Sequence, residues 1–247
     1  MGKSVLGPGI KAGSPNYVSQ FMAFKETGYP MIGAIEKDHP LLRLARNWES
    51  RLDWGEFADA AEDLYKTVRA VKSYLYRFEQ EFSKGKDYFH LRGQDNILRF
   101  LPIGKVVVRI HEDDNLFEVL ARIAAARICK CRVRISIPAG LKNEETEFIQ
   151  SRECKPLVGG ANVSFQSDAE LIELIPDIHR IRYAAPDRVP DAVFQAAAQT
   201  GFYIAREPVL MEGRIELLHY LRNQSICDMY HRYGNLGERT PGMSSGN

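Results

Sequence analysis

VVVRIHEDDNLFEVLARIAAARI, Val106 to Ile128, is the stretch that decides the fold. Val106 to Ile110 is a β-branched run too short for a helix, and it reads as a strand buried on both faces. HEDDN breaks the run. Asn115 to Ile128 then carries Leu116, Val119, Leu120, Ile123 and Ile128 on one helical face. Arg132 to Pro138 (RVRISIP) repeats the strand pattern. Strand, helix and strand in so short a span make a β-α-β unit, whose two strands lie parallel.

The same alternation continues toward the C-terminus. Helices are expected over Asn143 to Ser151, Ala169 to Ile175 (capped by Asp168), Pro190 to Thr200 and Glu212 to Asn223. Strands are expected over Asn162 to Phe165, Arg180 to Ala184, Gly201 to Ala205 and Gln224 to Tyr230. The fold class is therefore α/β, a Rossmann-like open, mainly parallel sheet.

Upstream, the period becomes helical. Pro40 to about Ser50 reads as a short helix, and Asp53 with Glu56 reads as a capping box. Phe57, Ala60, Ala61, Leu64, Val68, Val71, Leu75 and Phe78 then form one stripe of a long helix reaching Ser83. That stripe must be covered, either by the core of this chain or by another domain. Before it, GPGIKAGSPN (Gly7 to Asn16) gathers Gly and Pro around Lys11, YVSQFMAF (Tyr17 to Phe24) is a short apolar segment, and TGYP (Thr27 to Pro30) breaks it. The loop reads as the exit of a unit whose earlier part is missing.

Composition narrows the function classes. In 247 residues, Lys plus Arg is 33 and Asp plus Glu 32, for a net charge of +1, which argues against a nucleic-acid binder with a broad basic field. Apolar residues at 45% and charged ones at 26% argue against wholesale disorder. No apolar run reaches the ~18 residues of a spanning helix, and no signal peptide opens the chain, so a soluble cytoplasmic protein is expected. Cys129, Cys131, Cys154 and Cys227 lack zinc-site spacing and read as free thiols, Cys227 as a buried one. His231 follows Cys227 by four residues, but along a strand that separation is about 13 Å, too far for a thiolate–imidazole pair.

A parallel sheet places ligands beyond the carboxyl ends of its strands. At the first such turn, a dinucleotide site needs a glycine-rich G-x-G-x-x-G. The turn here is HEDDNLFE, with Glu112, Asp113 and Asp114 where a pyrophosphate would lie, and those carboxylates read as helix caps. No Walker, G-x-S-x-G, H-E-x-x-H or calcium-loop motif occurs. The tail HRYGNLGER (His231 to Arg239) offers Arg232 and Arg239 as candidate grips on a partner's carboxylate. A ligand pocket around His111 and Asp113 at the strand ends is a further candidate.

Three segments resemble known sequences. GPGIKAGSPNYV (Gly7 to Val18) is similar to the segment just after the FGG turn in L-glutamate γ-semialdehyde (Δ1-pyrroline-5-carboxylate) dehydrogenases of the aldehyde dehydrogenase superfamily. That family has approximately G-x-G-x-K-A-G-G-P-x-Y. Gly7, Gly9, Lys11, Ala12, Gly13, Pro15 and Tyr17 match it, and Ser14 replaces the second Gly. GQDNILRFLPIGKVVVRI (Gly93 to Ile110) resembles the entry to the C-terminal domain of long bifunctional proline-utilization proteins. LLHYLRNQSICDMYHRYGNLG (Leu217 to Gly237) looks like the close of that domain.

What the resemblance implies is a C-terminal fragment. Residues 1–30 would be the tail of an aldehyde dehydrogenase core, 31–92 a helical connector, 93–237 the Rossmann-like domain and 238–247 a flexible tail. Gly9, Lys11, Gly13 and Pro15 would form the family-motif loop, either structural or near the core's substrate site. The family's nucleophilic Cys after a Gly-Gln element and its Glu in E-L-G-G have no counterpart here. The resemblance therefore implies no catalytic residue, no cofactor in this chain (NAD belonging to the parent enzyme), no metal and no dehydrogenase activity in isolation. The expected partner is the dehydrogenase core, in cis or in trans, and a homo-oligomer is also open. The alternatives are a stand-alone α/β ligand-binding module and a homotypic interaction protein using the Tyr-rich long helix.

Overall fold

The computed structural model describes residues 22–91 and 94–229. Helix α1, Pro40–Asp53, starts at Pro40 because proline suits a first turn, with the side chain of His39 accepting from the Leu41 N–H. It ends three residues later than its period suggests. Asp53 is its last residue, so the expected capping box at Asp53 and Glu56 does not form. Instead Gly55 at φ 79° and Phe57 at φ 63° turn the chain through left-handed backbone. Helix α2 then spans Ala61–Arg77 and continues into a π-helical turn at Phe78–Phe82. The expected single long helix is thus shorter at its start.

The stripe of α2 is covered within this chain. Leu64, Val68, Val71, Tyr74 and Leu75 are all buried. They share one core with Leu41, Leu42, Ala45 and Trp48 of α1 and with the sheet-packed helix described below. Burial at roughly 25 cal/mol per Å² makes this seam a large part of what fixes the helical pair.

Strands β1 (Lys86–Asp87) and β2 (Gln94–Pro102) come next, and β2 is an element that sequence reading does not anticipate. β3 (Lys105–Arg109), helix α3 (Leu116–Ile128) and β4 (Arg132–Pro138) form the expected β-α-β unit. Asn115 caps α3 reciprocally with Glu118. Helix α4 is Glu144–Gln150, β5 is Asn162–Gln166 and α5 is Asp168–Glu173. Ser167, one residue before the expected cap, is the residue that caps α5. β6 is Arg180–Arg182, α6 is Asp191–Thr200 and β7 is Ile204–Ala205. The last predicted helix is a single turn at Gly213–Glu216 with a 3₁₀ turn to Tyr220, and β8, Leu221–Met229, begins inside its predicted span.

The parallel sheet has five strands in the order β5-β4-β3-β6-β7. This is the α/β, Rossmann-like open sheet expected, preceded by a helical segment. Val106, Val108 and Ile110 face the large core with α3, whereas Val107 joins Ile181, Tyr183, Val193 and Ile204 on the opposite face. The terminal strand does not join this sheet. β8 pairs antiparallel with β2 from Gln94↔Met229 to Pro102↔Leu221, and β1 completes a separate three-stranded sheet.

The segment before β8 is locked onto α2. A Cβ at Gly213 would lie 2.9 Å from the Ser73 carbonyl oxygen, so only glycine permits this approach. The Gly213 N–H donates to Ser73 Oγ at 2.9 Å. Beneath it, fully buried Arg182 meets Glu216 at 3.0 Å, and Tyr220 Oη donates to the same carboxylate at 3.0 Å.

Candidate functional site

The strand order reverses between β3 and β6, because the chain runs outward through β4 and β5 and then returns to build β6 and β7. Open parallel sheets bind ligands at this reversal. A crevice of about 510 Å³ lies there, bounded by Arg109, His111, Glu112, Asp168, Tyr183 and Arg188. The Pro138–Lys142 segment after β4 forms another wall.

Arg109 ends β3 and is 4% exposed. A charge at the end of an apolar strand must find partners, and its guanidinium donates to Ser136 Oγ at 2.9 Å, the Gln166 carbonyl at 2.9 Å and Asp168 Oδ1 at 2.7 Å. Tyr183, just past β6, is 1% exposed. Its hydroxyl makes no well-formed hydrogen bond among the described residues, and since the neighbouring Arg109 can only donate, the phenol O–H itself is unused. Burial raises its pKa, with the nearby Arg109 charge acting in the opposite sense.

The HEDDN turn differs from its sequence reading. Asp114 is not a helix cap but a buried ion-pair acceptor, bonded to Arg122 and to Arg188. Arg188 Nη1 also lies 2.6 Å from Glu118 Oε2. Five backbone donors of the turn are occupied internally. His111 N–H donates to Asp114 Oδ2 at 2.9 Å, Asp113 N–H to His111 Nδ1 at 3.2 Å and Asn115 N–H to Glu118 Oε2 at 3.1 Å. Asp114 N–H donates to the His111 carbonyl and Glu118 N–H to Asn115 Oδ1. In a pyrophosphate-binding turn such groups point at the ligand.

His111 lines the crevice as expected, whereas the exposed Asp113 stands beside it without lining it. Sequence reading misses Arg109, Tyr183 and Arg188. Only Arg109 carries a signal, as a cation terminating the VVV run.

The cysteines are free thiols. Burial pushes the Cys129 and Cys154 thiols up and takes Cys131 to about 11, which suppresses thiolate chemistry. Cys129 and Cys131 flank the α3–β4 turn, and they donate to the Leu217 and Tyr220 carbonyls. Cys227, expected to be buried, is exposed on β8, a strand of the smaller sheet. Among the described residues no group of three His, Cys, Asp or Glu side chains could hold a metal ion. No helix among them is long and apolar enough to cross a membrane. Gly9, Lys11, Gly13, Pro15, Arg232 and Arg239 lie outside the described residues, as does His231.

No family model and no curated protein matches the sequence. Solved structures do resemble the fold, and the class they define is the α/β architecture of aldehyde dehydrogenases. Proline utilization A from Corynebacterium freiburgense aligns over 92% of this chain at 24% identity with a TM-score of 0.54. A proline utilization A mutant from Bradyrhizobium japonicum aligns over 68% of the chain at 16% identity and 0.53. An NAD-dependent aldehyde dehydrogenase from Sinorhizobium meliloti aligns over 76% at 12% identity and 0.52. The chain spans only 18% and 19% of the two proline utilization A chains and 40% of the aldehyde dehydrogenase. At these identities the likeness is one of fold.

Proposed function

We propose that this chain is the C-terminal, non-catalytic α/β domain of a proline-catabolic L-glutamate γ-semialdehyde dehydrogenase. In this reading it supports NAD-dependent oxidation to glutamate by covering or stabilising a catalytic module that acts in cis or in trans. The observation that carries the reading is the first β-α turn. Five of its backbone donors are bonded to Asp114, His111, Glu118 and Asn115, so much of the cradle that a dinucleotide would need is taken up by the chain's own acceptors. The ordered sequence resemblance and the alignment to proline utilization A over 92% of the chain support the same reading.

Residues 1–30 would then close the catalytic module, with Gly9, Lys11, Gly13 and Pro15 as its loop. Residues 31–92 connect, 93–237 form the covering domain and 238–247 trail as a tail. Arg232 and Arg239 contact the module, NAD sits in the module alone, and the assembly works in the cytoplasm.

The test is co-purification of the 247-residue chain with a dehydrogenase core, followed by NADH formation from glutamate semialdehyde. The core should retain the chain and gain activity or thermal tolerance, while the chain alone stays silent. NAD reduction by the isolated chain would overturn the reading.

A further inference from the structure

Tyr183 presents an unused donor at the reversal point of the sheet. It is 1% exposed, its hydroxyl makes no well-formed hydrogen bond among the described residues, and its side chain forms part of the crevice lining. Buried hydroxyls are ordinarily bonded, because an unpaired one loses its hydration without compensation. Tyr183 lines the crevice, so a partner for this hydroxyl comes from that side, a small shift of the lining being needed because the oxygen itself is closed to solvent.

The surrounding charges decide what kind of partner fits. Arg109 lines the crevice beside the phenol and is the cation nearest to it, three of its five N–H donors being taken by Ser136, Gln166 and the paired Asp168. A ligand cation would be repelled by that guanidinium, whereas a ligand oxygen bearing negative charge would be attracted to it and could accept from Tyr183. Lys142, at the rim, is exposed and has no ion pair among the described residues, so it can swing toward such an oxygen. Glu112 and Asp168 face the same space and disfavour an extended polyanion. The internally bonded donors of His111, Asp113 and Asn115, with the Glu112 and Asp113 carboxylates among them, disfavour a second phosphate from that side.

We propose that the crevice between the ends of β3 and β6 binds one compact oxyanion, a carboxylate or a phosphate, with Tyr183 as hydrogen-bond donor and Lys142 as the closing cation. The site is built by this chain alone. Its failure would therefore leave the docking role untouched, and a failure to dock would leave this site standing.

The experiment is isothermal titration of the full chain with inorganic phosphate, with succinate and with NAD. Phosphate or succinate should bind, the tighter of the two identifying the headgroup, and NAD should bind no more tightly than phosphate. Tyr183→Phe should weaken binding of that anion about five- to tenfold, the loss expected of one hydrogen bond. Lys142→Gln should weaken it about threefold, and more at low salt than at high salt. Because the phenol O–H is unused, Tyr183→Phe should also raise the unfolding midpoint of the ligand-free chain by about 2 °C, which shows that the variant folds. The inference is overturned if neither anion binds, if Tyr183→Phe binds as well as the parent chain, or if NAD binds more tightly than phosphate.

Discussion

Arg188 reaches from beyond β6 to place Nη1 2.7 Å from Asp114 Oδ1, joining the two sides of the sheet reversal through a carboxylate with no exposed side-chain surface. The other oxygen of Asp114 bonds fully buried Arg122 and the His111 N–H. One residue thus holds the first β-α turn closed and pairs with two cations, the second of which it shares with Glu118. Glycine in a dinucleotide site does the opposite, leaving the turn open to phosphate.

Asp114→Ala should therefore be among the most destabilising substitutions in the chain. It strands the Arg122 charge in the core and frees the turn, a loss on the order of 3–5 kcal/mol. Urea unfolding followed by tryptophan fluorescence should show a lower midpoint with little change in slope. A change within about 0.5 kcal/mol would contradict the role assigned to this carboxylate.

Arg182 and Glu216 give a separate test, because they are fully buried and tie β6 to the last helical turn. Glu216→Gln removes the charge opposite Arg182 while leaving the guanidinium buried, and should cost about 3 kcal/mol. The paired replacement Arg182→Met with Glu216→Gln should recover part of that loss, since no unpaired charge then remains and the amide oxygen can still accept from Tyr220 Oη. A double-mutant cycle measures the difference. Additive losses would show that the two residues act independently.

The parallel sheet is legible from sequence because its pairing is local: Val106–Ile110, the α3 stripe and Arg132–Pro138 follow one another and already specify a β-α-β unit. β2 is not, because its partner β8 lies more than a hundred residues away and most of its side chains are half-buried, so no clean alternation marks it. Asp53 and Glu56 have capping-box spacing, yet Gly55 and Phe57 in left-handed backbone move the start of α2 to Ala61. The crevice escapes for a related reason. Arg109, Asp168 and Tyr183 come from three chain segments, and only tertiary packing shows that one arginine is paired and one phenol O–H is unused.

His219 should impose a pH dependence on stability. It is 5% exposed, and burial together with the charges of Arg182 and Arg180 holds its pKa well below the ordinary 6.5, with Glu207 Oε2 3.6 Å from Nδ1. The unfolded chain takes up a proton near that ordinary value while the folded chain resists it. Stability is then fully present above about pH 6.5 and falls as pH drops toward the folded value, by up to about 1.4 kcal/mol per pH unit. His39 and His179 are shifted in the same direction and add to the slope. His219→Gln should flatten most of the fall seen in urea midpoints between about pH 7.5 and 5. An unchanged slope would place the responsible group elsewhere.

The four cysteines should separate cleanly by reactivity. Cys129 and Cys154 are buried, and their thiols are held up by desolvation, so neither access nor thiolate fraction favours reaction. Cys131 is half-covered, bonded to the Tyr220 carbonyl at 3.3 Å and raised to about 11. Cys227 stands exposed on β8 opposite Asn96. A disulfide reagent at neutral pH should therefore titrate one thiol rapidly in the native chain, and Cys227→Ser should remove that fast phase without moving the unfolding midpoint. The remaining thiols should react only as the chain unfolds, in step with the loss of tryptophan signal. Two fast thiols in the native state would mean that the turn between α3 and β4 opens far more readily than its packing against Leu217 and Tyr220 allows.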